Sequence, residues 1–370
     1  MNKREIAEIK RQFTVFNCSI ARICGCYVDA EKNIKADFRE AFLSLPEEEI
    51  FKYFEIFRKG LSGKVGKNLF NLDSSGGQFA ENEEQKFLLE LRNSQLKNDD
   101  LLREFYSKVI ENYDYVGNYL ILLVYDAYDV PGKESDNIEM DDASDEVYRY
   151  IMCCICPVEL SKPGLSYDEM AGEFQNRIRD RVVGMTDTAF LFPAFNDRSA
   201  DVHAALMYAK KDLRGGFVEK VLGAAVPLPS NYQKDGFSEL IESTLGEECT
   251  SDIIKAIHEE LLDLAEESRD LPDIKMLERE EIFDIISKQS EKKLNQNEFD
   301  AVYENLFGGE NLMLTNLVGN GLMNVNLPGV AVKVDETCIG DVEVKMVDGR
   351  KCLVIGISDD FEINGTKCER

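Results

Sequence analysis

The chain has 370 residues, with 43 Lys or Arg against 70 Asp or Glu, so its formal net charge is −27 at neutral pH. With 44% hydrophobic and 31% charged residues, the composition is that of a globular protein and excludes a disordered or fibrous one. The length is sufficient for two or three domains. The acidic balance also argues against a general phosphate-binding surface.

The first residues are charged rather than apolar. Residues 1–13 lack the apolar core of a secretory signal. The longest apolar stretches, residues 119–125 and 150–158, are much shorter than the roughly 20 residues that a membrane-spanning helix needs. Ten cysteines occur without the small, loop-rich composition of a disulfide-stapled secreted domain. We therefore expect a cytoplasmic protein with reduced thiols and no membrane association.

Helices dominate the first hundred residues. We predict a helix from about residue 3 to residue 13, a short strand over residues 22–28, and helices around residues 83–93 and 98–112. Another helix begins after a capping box formed by Ser44 and Glu47. Its apolar residues follow at helical spacing and are expected to form one buried face: Ile50, Phe51, Phe54 and Phe57.

The central sheet is predicted from three apolar runs, residues 119–125, 150–158 and 189–195. A polar loop over residues 126–146 is expected to separate the first two strands. A helix is expected to begin at Ser199 and end at Lys211. Together these elements predict a mixed α/β core sheet with flanking helices, which is an α+β fold.

The rest of the chain changes character twice. Residues 225–236 have the composition of a linker. Residues 238–310 look helical and hold 21 Asp or Glu against 7 Lys or Arg. Asp348-Gly349 between two short apolar runs predicts a hairpin in a β-rich tail. We therefore predict three domains: a core at residues 1–225, an acidic helical region at 238–310 and a small β-rich module at 315–370.

One resemblance rests on six segments, which are IARICGCYV (20–28), FLSLPEEE (42–49), SGKVGKNL (62–69), NYLILLVYDAYDVPGK (118–133), MDDASDEVY (140–148) and FLFPAFNDRSADVH (190–203). They resemble the family called domain of unknown function 4317, found mainly in anaerobic Gram-positive bacteria, and the resemblance spans most of residues 1–225. That family has no assigned activity, so the resemblance implies a bacterial cytoplasmic protein and supplies no site residues.

Four cysteines form two closely spaced pairs. Cys24 and Cys26 share one face of a predicted strand, and Cys154 and Cys156 share one face of another. If the two strands were neighbours, the four thiolates could converge on Zn²⁺. Cysteine is also among the most often buried residue types, and burial in the core is the favoured interpretation.

Acidic residues are concentrated in the loop predicted at residues 126–146. Asp126 and Asp129, close to the end of the first strand, could gather Mg²⁺ or Ca²⁺, since these ions prefer oxygen ligands. A run of charge is more often a solvated surface, which is the favoured interpretation here.

The candidate catalytic residues are Asp197, Arg198, Asp201 and His203. They lie between a predicted strand and a predicted helix, where free amides and a partial positive charge often hold ligands. His203 is one of two histidines and is therefore the candidate general base. The alternative is a structural helix start, with Ser199 as its N-cap.

Three functions remain open. The leading hypothesis is an interaction or regulatory protein without catalytic activity, with protein partners and no cofactor. The second is a nucleic-acid-associated protein. The third is a divalent-metal-dependent hydrolase that uses Asp126, Asp129 and residues 197–203, with Mg²⁺ or Mn²⁺ as the metal. The nucleic-acid hypothesis depends on whether three basic tracts converge: Lys3, Arg4, Lys10 and Arg11; Arg58, Lys59, Lys64 and Lys67; and Arg177, Arg179 and Arg181.

Overall fold

A computed structural model gives the fold of most of the chain. Two compact units are present, Met1–Pro227 and Leu228–Arg370. The finer division of the second unit into a helical region and a β-rich module stays a prediction. The described residues are 1–74, 82–133, 139–268, 271, 275–290, 292–318, 322–327, 329–356, 361–363 and 366–368.

The first unit is built around an antiparallel sheet. Its elements in chain order are α1 (Lys3–Gln12), β1 (Arg22–Val28), β2 (Ile34–Ala41), α2 (Glu47–Gly60), β3 (Leu69–Asp73), α3 (Glu83–Asn93), α4 (Asp99–Asn112), β4 (Asn118–Lys133), β5 (Glu139–Leu160), β6 (Leu165–Asp168), β7 (Glu173–Asn176), β8 (Arg181–Val183), β9 (Thr188–Phe192), β10 (Ala194–Asn196), β11 (Ser199–Asp201), β12 (Ala204–Ala209) and α5 (Gly215–Val221). The strands of the eight-stranded sheet follow the order β2-β1-β4-β5-β9-β12-β3, and β8 pairs with β5 outside this path. The predicted α+β class, a sheet with flanking helices, is confirmed.

Local signals account well for α1, β1, α3 and α4. Their bounds agree with the predicted ones to within two residues. Asparagine caps three of these elements, because the side chains of Asn2, Asn82 and Asn98 accept hydrogen bonds from first-turn amides. These elements form where short-range chemistry and the apolar pattern agree.

The polar loop expected at residues 126–146 is largely strand. Within the described residues, β4 and β5 pair from Asn118↔Val158 to Lys133↔Glu139, with two register irregularities near Pro131. The extension forms because Tyr128 and Val130 alternate with polar residues and pack on the core. The prediction was therefore wrong for residues 126–133 and 139–146, and residues 134–138 lie outside the described residues.

Each face of the sheet is covered by helices. Even-numbered residues of β4 and β5, such as Leu122 and Cys154, contribute to the core beneath α1 and α2. Odd-numbered ones, such as Leu123 and Cys153, contribute to the core beneath α3, α4 and α5. A strand buried on both faces reads as a continuous apolar run, which explains why these strands could be predicted from sequence.

The capping box expected at Ser44 does not form. Ser44 belongs to a short 3-10 turn, and its hydroxyl donates to the carbonyl of Ala41 at 2.7 Å. Pro46 takes the N-cap position of α2 instead. The expected buried face is confirmed for Ile50, Phe54 and Phe57, and the structure corrects it at Phe51, which is exposed.

The helix predicted from Ser199 to Lys211 is two strands. Asp197 and Arg198 both have positive φ and form the tight turn between β10 and β11. β12 then runs along the sheet between β9 and β3, with every residue buried. Six consecutive buried residues fit a central strand as well as a helix, so periodicity alone could not separate the two.

Helices make up the core of the second unit. Its elements are α6 (Ser230–Leu245), α7 (Ser251–Glu267), β13 (Met276–Leu277), α8 (Arg279–Gln289), α9 (Gln296–Phe307), β14 (Leu312–Met313), α10 (Leu314–Val318), β15 (Leu322–Leu327), β16 (Val330–Asp335), β17 (Val342–Val347), β18 (Arg350–Ile355), β19 (Phe361–Ile363) and β20 (Thr366–Cys368). Side chains from α6 to α10 share one apolar core. The linker expected at residues 225–236 is shorter than predicted, because α6 already begins at Ser230 after Pro229.

Hairpins form the end of this unit. β17 and β18 pair with a two-residue connection, and both Asp348 and Gly349 have positive φ, as the turn geometry requires. The predicted Asp-Gly hairpin is confirmed. In the part of the chain that the structure describes, the helices are all too short or too polar to cross a membrane.

A glycine at the end of α2 sets how closely the helix approaches the sheet. A Cβ at Gly60 would lie 2.8 Å from Met152 Cε and 2.9 Å from Ala189 Cβ. We expect Gly60→Ala to lower the free energy of unfolding by about 1–3 kcal/mol, since the packed core must move to admit a methyl group. Urea unfolding followed by circular dichroism measures this change.

Gly164→Ala is the matched control, because its Cβ would meet nothing within 4 Å. Equal stability of Gly60→Ala and Gly164→Ala would contradict the proposed role of the close approach.

Candidate functional site

The two cysteine pairs lie on opposite faces of the sheet. Cys24 and Cys26 on β1 point into the core beneath α3 and α4, whereas Cys154 and Cys156 on β5 point into the core beneath α1 and α2. The backbone of the sheet therefore separates the two pairs, and the fold does not bring the four thiols together. Each of these thiols is buried among apolar side chains.

The side chains of Asp126 and Asp129 also point to different sides of the sheet. They lie three residues apart on β4, so their side chains leave opposite faces of the strand. Asp126 is buried, and its carboxylate accepts from the backbone amide and hydroxyl of Ser19 at 2.9 and 2.7 Å and from Tyr150 Oη at 2.9 Å. Burial raises the pKa of Asp126, and these hydrogen bonds oppose the rise. Asp126 thus ties the segment before β1 to the sheet.

Arg198 connects three elements of the first unit. Its Nη1 donates to Glu8 Oε2 on α1 at 2.9 Å, and its Nη2 donates to the carbonyl of Pro131 on β4 at 3.1 Å. Asp197 shares its turn between β10 and β11. The pair therefore lies at a hairpin tip rather than at the helix start that the sequence suggested.

Asp201 and His203 are close in the chain and in the fold. Asp201 Oδ1 accepts from the backbone amide of His203 at 3.0 Å, and its Oδ2 accepts from Asn196 Nδ2 at 2.7 Å. Burial and the charge of Asp201 raise the pKa of Asp73 on β3. Among residues with described side chains, no group of three or more His, Cys, Asp or Glu is arranged to hold a metal ion.

A basic cavity lies near the edge strand β2, on the face of the sheet that α3 and α4 cover. β1 pairs with β4 as far as Ile23↔Val124, which makes Arg22 and Tyr125 the next residues of the two strands. The pairing of β1 with β2 sets Arg39 opposite Cys24. These three polar side chains therefore share one face. The cavity has a volume of about 320 Å³ and is lined by Ala21, Arg22, Arg39, Glu40, Ala41, Gln95, Lys97 and Tyr125.

The connection between α3 and α4 closes the cavity. Gln95 and Leu96 both have positive φ, a conformation that is uncommon away from glycine. Leu96 is fully buried beneath the sheet, which fixes the turn in place. Gln95 and Lys97, on either side of Leu96, line the cavity. The strained turn thus positions polar side chains over the cavity.

Arg39 is the most constrained cation of this cavity. Its Nη1 lies 2.8 Å from Asp99 Oδ1, and its Nη2 lies 3.2 Å from Asp37 Oδ2. Its Nε is buried and has no hydrogen-bond acceptor among the described residues. A buried donor left without an acceptor costs about 1–3 kcal/mol. Arg39 therefore lines the cavity with its guanidinium already held by two carboxylates.

The surrounding charges are mainly positive. Arg22 and Lys97 form no ion pair with the residues that the structure describes. Arg92, in the last turn of α3, lies near Tyr125 and Arg149, and burial together with the charge of Arg149 lowers the pKa of Arg92. Glu40 is the acidic residue of the lining. In a chain of net charge −27, this is a local concentration of positive charge.

Sequence reasoning missed this cavity. Arg22 and Arg39 are single basic residues at the ends of strands, and Tyr125 ends an apolar run. Only the register of three strands brings them to one face. A weak signal was present: Arg22 interrupts the apolar pattern on the side that Cys24 and Cys26 share, so it had to lie at the edge of that core.

A family match covers nearly the whole chain. The family described as Domain of unknown function (DUF4317) matches residues 1–366, and the chain belongs to this family. The resemblance seen over residues 1–225 is therefore confirmed and extends through the second unit. Among curated proteins, none matches the chain.

The buried thiols predict a loss of stability at alkaline pH. Burial raises the pKa of Cys26 to about 12, whereas an unfolded thiol titrates near 8.5. Above pH ~8.5 the unfolded chain loses a proton that the folded chain keeps, so stability falls as the pH rises toward 12. For Cys26 alone we expect a loss of about 2 kcal/mol between pH 8 and pH 10.

Urea unfolding of the wild type and Cys26→Ala at both pH values measures this contribution. The variant should lose less stability than the wild type over that interval, whereas Cys338→Ala, at an exposed position, should match the wild type. An identical pH dependence of the wild type and Cys26→Ala would refute the prediction.

Proposed function

We propose that this member of the DUF4317 family is a binding protein, without catalysis of its own, whose basic cavity takes a phosphate-bearing ligand. The observation that carries the proposal is the convergence of three cations, Arg22, Arg39 and Lys97, on one cavity. The interaction or regulatory role that the sequence suggested is thereby proposed for a specific site.

Phosphate is the anion that best fits the donors. A guanidinium presents several donors in one plane and binds phosphate oxygens with directed, charge-assisted hydrogen bonds. Arg39 already uses both Nη atoms on carboxylates, so Arg22 and Lys97 supply the charged donors for the ligand. A volume of about 320 Å³ is at the small end of ligand sites, which favours a compact ligand.

The candidate residues Asp126 and Arg198 have structural roles, which favours a binding protein over an enzyme. Asp126 is held by Ser19 and Tyr150, and Arg198 is held by Glu8 and Pro131. Each of these side chains already has partners that fix its position. By contrast, Arg22 and Lys97 line a cavity and form no ion pair with the described residues.

The position of the cavity also suits regulation. Its cations come from the edge strand β2, from β1 and from the connection between α3 and α4. A ligand that contacts Arg39 and Lys97 together bridges elements that are far apart in the chain. Binding would therefore stabilise this edge of the sheet by linkage.

Titration with pyrophosphate tests the proposal. We expect binding that is weakened about tenfold by Arg22→Gln and about tenfold by Lys97→Gln, since each variant removes one charge-assisted contact of about 1.5 kcal/mol or more. Isothermal titration calorimetry at low salt measures both. These variants leave the ion pairs of Arg39 in place.

Lys52→Gln is the matched control, because Lys52 is exposed on α2 and outside the cavity lining. It should bind pyrophosphate like the wild type. Absence of heat with the wild type at millimolar pyrophosphate, or an equal loss in Lys52→Gln, would disprove the proposed site.

A second candidate is the nucleic-acid-associated function. Two of the basic tracts meet: Lys10 on α1 lies close to Arg58 and Lys59 on α2, and burial followed by their charges lowers the pKa of Lys10. Lys10 Nζ also donates to Ser62 Oγ at 2.6 Å. This convergence of cations supports a small patch for a phosphate backbone.

Salt-dependent binding of a fluorescent single-stranded DNA tests this candidate. Three neutralised phosphates give a slope of about −2 in log K against log salt, and Lys10→Ala/Lys59→Ala should reduce both affinity and slope. Lys293→Ala, at an exposed position in the second unit, is the control. No binding at ~50 mM salt would exclude the function.

A further inference from the structure

Residues 161–185 form an exposed arm that leaves the sheet after β5 and returns to it at β8 before β9. Within the arm, β6 and β7 pair as a two-stranded hairpin outside the main sheet. Large apolar side chains of the arm face solvent, among them Leu165 at 73% and Phe174 at 71% exposure. A hairpin of two strands is only marginally stable by itself. We therefore expect a partner to cover its exposed apolar side chains.

The apolar residues of the hairpin share one face. Tyr167 pairs with Phe174, and their ring centroids lie 5.3 Å apart. Leu165, two residues before Tyr167, points to the same side. The opposite face is polar, with Ser166 and Asp168 on β6 and their partners on β7. The hairpin therefore presents one contiguous apolar face.

Charge is segregated along the arm. The tip is acidic, with Glu169 and Glu173, whereas the segment that returns to the sheet carries Arg177, Arg179 and Arg181 against one acid, Asp180. Within the described residues, none of these five side chains forms an ion pair, and all are exposed. Both charged ends are thus available for contacts with another molecule.

We propose that the arms of two copies of this chain pair antiparallel around a twofold axis. The acidic tip of each arm then meets the arginines of the other, and the two apolar faces bury each other. A twofold interface requires a surface that is complementary to its own inverted copy, and opposite charges at opposite ends meet that requirement.

The overall charge supports a second copy as the partner. A net charge of −27 opposes the approach of two copies over most of the surface. The arm is an exception, because residues 161–185 contain four basic and four acidic side chains and have no net charge. A uniformly acidic or basic partner would meet a like charge at one end of the arm.

Sedimentation equilibrium over a range of concentrations tests the proposal with a charge-swap design. Glu169→Lys/Glu173→Lys reverses the tip, and Arg177→Glu/Arg179→Glu/Arg181→Glu reverses the base. Asp168 is left unchanged, because its carboxylate accepts from the backbone amides of Met170 and Ala171 and holds the hairpin turn. We expect a wild-type dimer and at least tenfold weaker self-association of each variant.

An equimolar mixture of the two variants is the decisive sample. The reversed tip of one variant then faces the reversed base of the other, and the two unreversed ends also face each other. Opposite charges meet at both contacts, so a heterodimer should form with an affinity close to that of the wild type. Phe174→Ser should weaken the wild-type dimer at least tenfold while circular dichroism shows the fold unchanged.

A wild-type protein that stays monomeric up to ~100 μM, or dimers that neither variant weakens, would overturn the proposal. So would a mixture that remains monomeric. Pyrophosphate binding by the cavity is measured separately, so the failure of one proposal leaves the other standing.

Discussion

The antiparallel pairing of β4 with β5 is the interaction on which the first unit depends. Both strands lie at the centre of the sheet, between β1 on one side and β9 on the other. Their alternation divides the apolar residues between two cores, with Leu122 in one and Leu123 in the other. A shift of register by one residue would exchange these faces and place charged side chains such as Asp126 on the wrong side.

Sequence reasoning succeeded where local chemistry agrees with the fold. Helices with asparagine caps and the hairpin at Asp348 were predicted because the signal and the structure involve the same few residues. The prediction for residues 199–211 was wrong because a short buried strand and a buried helix share the same apolar composition. Asp197 and Arg198 have positive φ although neither is a glycine. The turn that they form was therefore not predicted.

The candidate site was harder to predict than the fold. The two members of each cysteine pair lie on one face of their strand, as their spacing predicts. Which face of the sheet that is depends on the register of the strand, and the two pairs lie on opposite faces. Arg22 and Tyr125 become neighbours only through the pairing of β1 with β4. A single sequence contains the side chains of such a cavity but not the register that assembles them, whereas the exposed arm follows from residues adjacent in the chain.

The order of strands in the sheet has a consequence for synthesis on the ribosome. The apolar face of α2 packs against β5, β9 and β12, and β3 joins the sheet through β12. About 140 residues separate the end of α2 from the start of β12. At roughly 5–20 residues per second, α2 waits some 7–30 s for its contact with β12. Apolar surface that is exposed in such an interval is prone to aggregation, and the first unit completes its core only near the end of its own translation.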